Sequence, residues 1–235
     1  AAGGKEEKPT TAYPLVTKVA ADSPTAQYFP VREKLEPKRI RLQHQYLKEE
    51  NETTYWSDVA RHVEAGANVV IIRNSVSLAQ QTFRLLKSLL TETVADERTG
   101  LLHSRFPRWQ RTKNEDHWTG ILGKDDSRRP NGSLLVSTQI VEQSVDIDAD
   151  LLVTDLAPAD LVLQRIGRLH RHVRNRPSGL EVPTCHLLHP ETDWSGQTKE
   201  VKAALAPHGY IYPPLTLWQA TTHLNKLSKI SLPGD

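Results

Sequence analysis

Asn68-Val-Val-Ile-Ile72 ends in four consecutive β-branched apolar residues, a composition and length typical of a β-strand. Continuous rather than alternating hydrophobicity predicts that both faces of this strand are buried, as in the middle of a parallel sheet. Asn74 and Ser75 follow directly and can cap a helix whose apolar residues recur at helical spacing over 76–90. The segment therefore predicts a strand followed by a helix, the basic unit of an α/β domain.

The same alternation continues along the chain on both sides of this unit. Helices are predicted over 54–65, 107–122 and 160–170, and strands over 13–20, 39–42, 101–103, 134–136, 151–154 and 182–188. Strands that alternate with helices form parallel sheets, so we expect an α/β fold with a parallel sheet flanked by helices. Residues 54–190 would form this domain, after a loosely ordered N-terminal lead-in over 1–53. A C-terminal helical extension over 191–235 would dock on it through Leu215, Leu217, Trp218 and Leu224.

Composition excludes several classes of protein. The 235 residues are 37% hydrophobic, enough for one sizeable core, and no segment approaches the roughly 18 apolar residues of a membrane-spanning helix. The first residues lack the apolar segment of a secretory signal, and Cys185 is the single cysteine, so neither a disulfide nor a cysteine-rich zinc site is expected. We expect a cytoplasmic protein without membrane contact. The chain contains no methionine and begins with Ala1-Ala-Gly-Gly4, which indicates a fragment.

Positive charge is concentrated in one segment, although the net charge is only +2. Residues 165–176 contain five arginines and two histidines and no acidic residue, which predicts an anionic partner, although composition alone favours a solvated surface. On a helix, Gln164, Arg168 and Arg171 are spaced at i, i+4 and i+7, which brings two guanidinium groups together on one face. Gly167 lowers helix stability by about 1 kcal/mol, which predicts a close approach of a ligand to its backbone. The opposite face, which should pack inward, carries Val162, Ile166 and Leu169.

Polar residues follow three of the predicted strands at the points where these strands end. They are Asn74 and Ser75, Ser104 and Arg105, and Thr138 and Gln139. Ligands of parallel α/β sheets gather at the carboxyl ends of the strands, where loops and helix N-termini direct backbone N–H groups outward. This edge therefore predicts a phosphate-binding rim. The polar loop over 137–148 would add hydroxyl and amide groups, and Asp146 would accept a hydrogen bond from a sugar hydroxyl.

Two motifs in this order resemble a known family. S-T-Q-x-x-E-Q-S-x-D at 137–146 and Q-R-x-G-R-x-x-R at 164–171 resemble motifs V and VI of superfamily 2 helicases. Three segments are similar to the helicase-nuclease of type I CRISPR systems, the effector recruited by Cascade, and these are 74–80 (NSVSLAQ), 102–106 (LHSRF) and 158–172 (PADLVLQRIGRLHRH). The resemblance covers about residues 55–190 and implies the second RecA-like lobe of an ATP-driven motor. Ser144 departs from it, because many relatives carry glycine there.

The resemblance implies a role for each candidate site residue. Arg168 and Arg171 would act as arginine fingers on ATP with Mg²⁺, held mainly by a first lobe, and Gln164 would orient the γ-phosphate. Asp146 and Gly167 would contact the nucleotide, Asp146 through its ribose. Phosphates of single-stranded DNA would be bound by Asn74, Ser75, His103, Ser104, Arg105, Thr138 and Gln139, although His103 serves equally well to fill a strand end. The implied partners are the first lobe and the nuclease domain of the same protein, single-stranded DNA and the Cascade surveillance complex.

The nucleotide-binding half of such a motor is missing from the sequence. G-x-x-x-x-G-K-[ST] does not occur, since Gly120-Ile-Leu-Gly-Lys-Asp125 is too short and lacks the hydroxyl that binds Mg²⁺, and there is no D-E-x-H box or His-Asp nuclease motif. The lobe alone is therefore expected to be inactive and to bind no cofactor. His170 and His172 would face different sides of a helix, so no metal site is expected. Two alternatives remain, a lobe of another superfamily 2 helicase acting on RNA and a non-catalytic nucleic-acid-binding or interaction module.

Two tryptophans, Trp109 and Trp118, lie in the basic helical stretch over 105–124. Exposed tryptophans in such a stretch would stack on nucleic-acid bases. Tryptophan on a helix is more often part of the core, so we expect both side chains to be buried.

Overall fold

The computed structural model describes residues 15–19, 26–30, 37–92, 94, 96–142, 146–190, 198–208 and 211–232, and within them it contains two β-sheets and six α-helices. An antiparallel pair consists of β1 (Leu15–Val19) and β2 (Ala26–Pro30). The main sheet consists of β3 (Lys38–Tyr46), β4 (Asn68–Ile72), β5 (Thr99–Leu102), β6 (Ser133–Ser137), β7 (Leu151–Asp155), β8 (Thr184–His189) and β9 (Lys229–Leu232). The helices are α1 (Glu49–Glu64), α2 (Val76–Leu89), α3 (Arg108–Leu122), α4 (Ala159–Ile166), α5 (Thr198–Leu205) and α6 (Pro214–Leu224). Short 3₁₀ turns include Gln139–Glu142 and Ala206–His208.

The main sheet has the strand order β5-β6-β4-β7-β8-β3-β9. Its strands are parallel except for β9, which pairs with β3 in the antiparallel direction. β4 lies between β6 and β7, and every residue of these three strands is buried. The predicted central parallel strand over 68–72 is therefore confirmed, and so is the α/β fold class.

Successive residues of the central strands point into two separate hydrophobic layers. Val70 and Ile72 pack with apolar side chains of α3, α4, α5 and α6 on one face of the sheet. Val69 and Ile71 pack with side chains of α1 and α2 on the other face. Because helices cover both faces, both odd and even positions must be apolar, which explains the continuous hydrophobic run of β4.

The main sheet extends into both segments that the sequence placed outside the domain. In β3, Ile40 and Leu42 are buried, whereas the arginines between and beside them are exposed. These charges obscured the alternation, so the sequence predicted only a short strand over 39–42 within a loosely ordered lead-in. β9, from the predicted helical extension, pairs with β3 and places Ile230 opposite Ile40. The sheet therefore reaches beyond residues 54–190 in both directions.

The helices agree with their predicted positions more closely in the middle of the chain than near its ends. α2 and α3 lie within one residue of their predicted bounds at either end. α1 begins at Glu49, earlier than predicted, because three glutamates in its first turn suit the positive end of the helix dipole. α6 docks through buried Leu217 and Leu224 as predicted, whereas Leu215 and Trp218 are 64% and 43% exposed. No helix in the described ranges is long and apolar enough to cross a membrane.

Two buried aspartates anchor the basic segment at the amino ends of β4 and β7. Asp148 accepts contacts from Arg174 Nε at 2.8 Å and Arg176 Nη2 at 3.0 Å. Asp150 Oδ1 accepts from Arg176 Nη1 at 2.7 Å and from Arg129 Nη2 at 2.8 Å. Burial alone would raise the pKa of Asp150, but Arg129, Arg176 and the groups of Asn68 lower it below its usual range. The segment over 165–176 is therefore largely neutralised by acids distant in sequence, contrary to the expectation of an unpaired basic run.

We predict that Asp150→Asn lowers the free energy of unfolding by about 3 kcal/mol or more, because it leaves the buried guanidinium of Arg129 without its counter-charge and Arg176 with Asp148 alone. Urea unfolding followed by circular dichroism measures the change. Asp58→Asn is the matched control, since Asp58 forms an exposed pair with Arg61 within one turn of α1, and it should change stability by less than about 1 kcal/mol. Equal effects of the two substitutions would show that the buried cluster contributes no more than a surface ion pair.

Candidate functional site

Arg165 lies at the carboxyl edge of the main sheet with its side chain completely buried. Its Nε donates to Glu142 Oε1 at 2.7 Å, and its Nη1 donates to Thr154 Oγ1 at 2.8 Å. A further bond from Nη1 reaches the carbonyl of Asp155 at 3.0 Å, and Nη2 donates to the Tyr212 hydroxyl at 3.1 Å. One guanidinium group therefore joins α4, the turn after β6 and the end of β7.

Asn74 completes this buried network from the end of β4. Its backbone N–H donates to Asp155 Oδ2 at 2.7 Å, and its Nδ2 donates to the carbonyl of Leu156 at 2.7 Å. Its Oδ1 accepts from Arg165 Nη2 at 3.3 Å. Asn74 is only 3% exposed, so its amide positions neighbouring loops and is not presented to solvent as the predicted DNA contact requires. The Nε2 of Gln139 donates to the carbonyl of Asn74 at 2.9 Å, which ties the second predicted loop to the first.

Asp155 adds a second negative charge to this network, opposite a second arginine. Its Oδ1 lies 3.1 Å from Arg73 Nε, and its Oδ2 lies 3.7 Å from Nδ1 of His208. Burial alone would raise the pKa of Asp155, but Arg73, His208 and the backbone N–H of Asn74 lower it to about 2. The carboxylate is therefore ionised throughout the physiological range and holds β4, β7 and the turn after α5 together.

The remaining predicted DNA contacts divide into buried and exposed residues. Thr138 and His103 are 4% exposed, and the His103 ring stacks on Phe106 with centroids 4.2 Å apart. Burial lowers the pKa of His103, so this ring is neutral at physiological pH. Ser104 and Arg105 are exposed at the end of β5. Ser75 caps α2, where its Oγ accepts from the N–H of Leu78 at 3.2 Å.

α4 ends at Ile166, so the predicted helix over 160–170 is wrong beyond that residue. Gly167 is the C-cap, and its N–H donates to the carbonyl of Leu163 at 3.0 Å. Leu169 then forms a parallel bridge with Ala149, and His170 adopts a φ of 46°. This tertiary pairing draws the chain out of the helix, so Arg168 and Arg171 do not share a helix face with Gln164. Gly167 has a φ of −59°, which other residues also adopt, so the helix end does not require glycine there, and its contact with a ligand stays a prediction.

Arg168 and Arg171 nevertheless interact electrostatically, and both interact with Asp146. Arg171 Nε lies 2.6 Å from Asp146 Oδ1, and both side chains are partly exposed. Arg168 Nη2 donates to the carbonyl of Glu142 at 2.6 Å, while its buried Nε has no hydrogen-bond partner among the described residues. Burial and the neighbouring Arg171 lower the pKa of Arg168. Gln164 is exposed on α4, and Ser144 lies outside the described residues.

Sequence reasoning missed the internal part of this site. It treated Arg165 as one cation of a surface run, and it assigned no role to Glu142 or Asp155. A signal was present, because Arg165 lies three residues after Val162 and immediately before Ile166, within the apolar stripe of the helix. An arginine in such a stripe must find a buried acid.

The tryptophans and histidines also have defined positions. Trp118 is 3% exposed, as predicted, but Trp109 is 69% exposed, so the prediction that it belongs to the core is wrong. His170 Nε2 lies 3.1 Å from the carbonyl of Asp150, and burial together with Arg176 lowers its pKa to about 4. His172 lies 3.5 Å from Asp146. In the part of the chain that the structure describes, no group of three or more His, Cys, Asp or Glu side chains is arranged to hold a metal ion.

Comparisons with known proteins find members of one family. A family model for the C-terminal part of the CRISPR-associated nuclease/helicase Cas3 matches residues 65–174. The chain is 38% identical over 170 residues to the CRISPR-associated endonuclease/helicase Cas3 of Escherichia coli K12, a match that covers 72% of this chain and 18% of that protein. It is 50% identical over 91 residues to the protein of that name from Thermus thermophilus, covering 39% of this chain and 10% of the relative. The chain thus spans less than a fifth of these relatives.

Solved structures agree with the sequence matches. The crystal structure of T. fusca Cas3 superposes with a TM-score of 0.77 at 30% identity, covering 92% of this chain and 25% of that chain. A structure described as a CRISPR RNA-guided surveillance complex, pre-nicking, contains a chain that superposes with a TM-score of 0.68 at 31% identity, covering 92% of this chain and 26% of that one. The RecA-like lobe that the motifs implied is therefore the fold observed.

The buried carboxylate network predicts a specific dependence of stability on pH. Because the pKa of Asp155 falls from 3.8 to about 2 on folding, its ionised form stabilises the native state fully above pH 4, and this contribution is lost as the pH falls from about 4 to 2. Asp155→Asn should lower the free energy of unfolding by about 2 kcal/mol at pH 7, and the difference from the wild type should shrink towards pH 2. Urea unfolding at several pH values measures it.

Asp116→Asn provides the control, because Asp116 is exposed on α3, and it should change stability by less than about 0.5 kcal/mol throughout this range. A wild-type advantage over Asp155→Asn that stayed constant between pH 7 and pH 2 would contradict the role assigned to the ionised carboxylate.

Proposed function

Because the chain belongs to the Cas3 family of CRISPR-associated nuclease/helicases and forms the C-terminal helicase lobe of that family, we propose that it is the second motor lobe of an ATP-dependent translocase on single-stranded DNA. The observation that carries the proposal is the cluster of Arg168, Arg171 and Asp146, in which two guanidinium groups and one carboxylate interact electrostatically. Phosphoryl transfer spreads negative charge over the transferred group, and positioned arginines stabilise that charge. In this proposal the substrate is ATP with its bound Mg²⁺, and both arginines stabilise the charge that develops on the transferred phosphoryl group.

The phosphates of ATP must be held mainly by another lobe, because the 235 residues contain no phosphate-binding loop of the G-x-x-x-x-G-K-[ST] type. The residues present fit a complementary role. Arg168 has a buried Nε without a partner among the described residues, and its positive charge is disfavoured by burial and by Arg171. An anion beside the two arginines relieves both conditions. Asp146 would release Arg171 and accept a hydrogen bond from the ribose. Gln164 would orient the γ-phosphate from the exposed face of α4.

The DNA strand would lie across the carboxyl edge of the sheet. Ser104 and Arg105 are exposed there and would bind its phosphates, with Ser75 and Gln139 at the ends of the neighbouring strands. Asn74, His103 and Thr138 are buried in the same loops, so their role would be to hold those loops in place. Phosphate contacts carry no base information, so binding would tolerate any sequence.

The complete protein would include a first RecA-like lobe and a nuclease domain, since the chain spans 18% of relatives that are named nuclease/helicases. We also propose that it acts with an RNA-guided surveillance complex of the Cascade type, on the strength of the similarity to a chain within such a complex. The family match supports DNA as the substrate over the alternative of an RNA helicase. A non-catalytic module with the same fold remains the competing function, and ATP turnover decides between the two.

The proposed function makes a prediction for Arg168 in a nuclease/helicase that carries this lobe together with its other domains. Arg168→Ala should reduce DNA-stimulated ATP turnover by at least about 10³ and leave the affinity for single-stranded DNA nearly unchanged, because the guanidinium stabilises charge that develops in the transition state. Arg168→Lys should remain severely impaired, since lysine keeps the charge but loses the planar fork. Phosphate release and DNA titration measure the two quantities.

Arg105→Ala serves as the matched comparison, because Arg105 is an exposed arginine of the same lobe on the DNA side. It should weaken DNA binding and spare turnover at saturating DNA. If Arg168→Ala instead kept normal turnover and lost DNA binding, Arg168 would be a phosphate-backbone contact and the arginine-finger role would be excluded.

The proposed function also makes a prediction for this chain alone. It should hydrolyse no ATP above background, because the phosphate loop and the metal-binding carboxylates are missing. It should bind single strands weakly and without sequence preference, and the slope of log K against log salt should be about −0.7 for each neutralised phosphate. DNA-stimulated hydrolysis by the purified chain, or tight binding insensitive to salt, would contradict the proposed division of labour between two lobes.

A further inference from the structure

Trp109 is the most exposed tryptophan in the described part of the chain, with 69% of its surface accessible. It lies in the first turn of α3, immediately after the loop at the end of β5 that presents Ser104 and Arg105. A large indole held in water contributes nothing to the core, whereas Trp118 of the same helix is almost fully buried. The exposure of Trp109 therefore has no explanation in packing against the residues that the structure describes.

The backbone that carries Trp109 is firmly held. Phe106 N–H donates to the carbonyl of His103 at 3.3 Å, and the two rings stack, which fixes the turn before α3. At the other side, Trp118 packs directly on β5, where a Cβ at Gly100 would lie 2.5 Å from the indole of Trp118. α3 is thus pressed onto the edge strand of the sheet. The exposed indole is presented by a rigid support and not by a mobile loop.

The surroundings of Trp109 are cationic. Arg105, Arg108 and Lys113 are all exposed, and none of them forms an ion pair with a described residue. Lys113 lies four residues after Trp109, on the same side of the helix. The first turn of α3 contains no acidic residue, and Pro107 supplies no side-chain cap, although a helix N-terminus favours negative charge. Cations at this end of a helix indicate a polyanionic partner.

We propose that Trp109 stacks on a base of the single strand whose phosphates are bound by Ser104 and Arg105. This inference rests on the proposed DNA path and adds a contact with the bases to it. An aromatic face among cations matches a chain of phosphates and bases, and stacking tolerates every sequence because each base has a π-face. Trp109 would hold one nucleotide at the edge of the sheet, while the arginines near it neutralise the adjacent phosphates of the strand. Trp109 acts here in DNA binding and touches no reacting atom.

The test uses this chain and two fluorescent strands of equal length, an ordinary deoxyribonucleotide strand and a strand of abasic deoxyribose phosphates. Wild-type protein should prefer the ordinary strand by at least about fivefold. Trp109→Ala should reduce the affinity for the ordinary strand by about the same factor and leave the affinity for the abasic strand unchanged. Trp109→Phe should retain most of the preference. Trp109→Ala should also leave the salt slope unchanged, whereas Arg105→Ala should reduce its magnitude by about 0.7.

Trp218→Ala is the matched control, because Trp218 is a partly exposed tryptophan on α6 and should affect neither strand. If the wild type binds neither strand, the proposed DNA path fails and the stacking contact fails with it. If the wild type binds the ordinary strand and Trp109→Ala binds it equally well, stacking alone is excluded and the path stands. If Trp109→Ala lost the same affinity for both strands, Trp109 would act through the structure of α3 and not by stacking. If Trp109→Ala bound DNA normally but no longer bound a polyglutamate peptide, the surface around Trp109 would be a binding site for an acidic protein.

Discussion

The rest of the structure depends on the pairing of the buried Arg165 guanidinium with Glu142. A cation removed from water is costly unless a charge and further acceptors surround it, and Arg165 has both a carboxylate at 2.7 Å and oxygen atoms from β7. Satisfying all of these acceptors at once requires that α4, the turn after β6 and the end of β7 meet at one place. Asn74 joins the same network, so the loop after β4 is held as well. The geometry of the carboxyl edge therefore follows from one buried charge.

Most of the arginine side chains in the basic segment stabilise the fold, and two remain at the candidate site. Arg165 is internal, and Arg174 and Arg176 are paired with Asp148 and Asp150 at the opposite edge of the sheet. Between these two anchored ends, Arg171 pairs with the partly exposed Asp146, and Arg168 interacts electrostatically with both of them. The two anchors hold both ends of the intervening chain, and within it Arg168 donates to the carbonyl of Glu142 while Arg171 pairs with Asp146. Preorganisation of this kind is what electrostatic stabilisation of a transition state requires.

The parts of the fold that could be predicted are those whose cause is local. β4 and α2 were predicted correctly, because burial on two faces and helical spacing are both visible in adjacent residues. β3 was underestimated because its outward-facing arginines obscure the alternation, and α4 was extended too far because only the tertiary bridge between Leu169 and Ala149 ends it. The sequence placed Arg168 and Arg171 on one helix face, which is wrong because α4 ends at Ile166. Ion-pair partners far apart in sequence, such as Arg165 and Glu142, could not be predicted from spacing.

α3 links the two ends of the lobe mechanically. Its first turn carries Trp109, and at its other end the carbonyl of Leu122 accepts from the N–H of Asp148 at 2.8 Å while the carbonyl of Gly123 accepts from Arg174 at 3.0 Å. Fifteen residues of α-helix form a rod roughly 22 Å long that neither stretches nor shortens appreciably. α3 therefore connects the backbone that carries Trp109 with the chain segment that carries Asp146, two residues before Asp148. In the proposed motor, a force on a strand stacked on Trp109 would be transmitted along α3 towards the ion pair of Arg171 with Asp146.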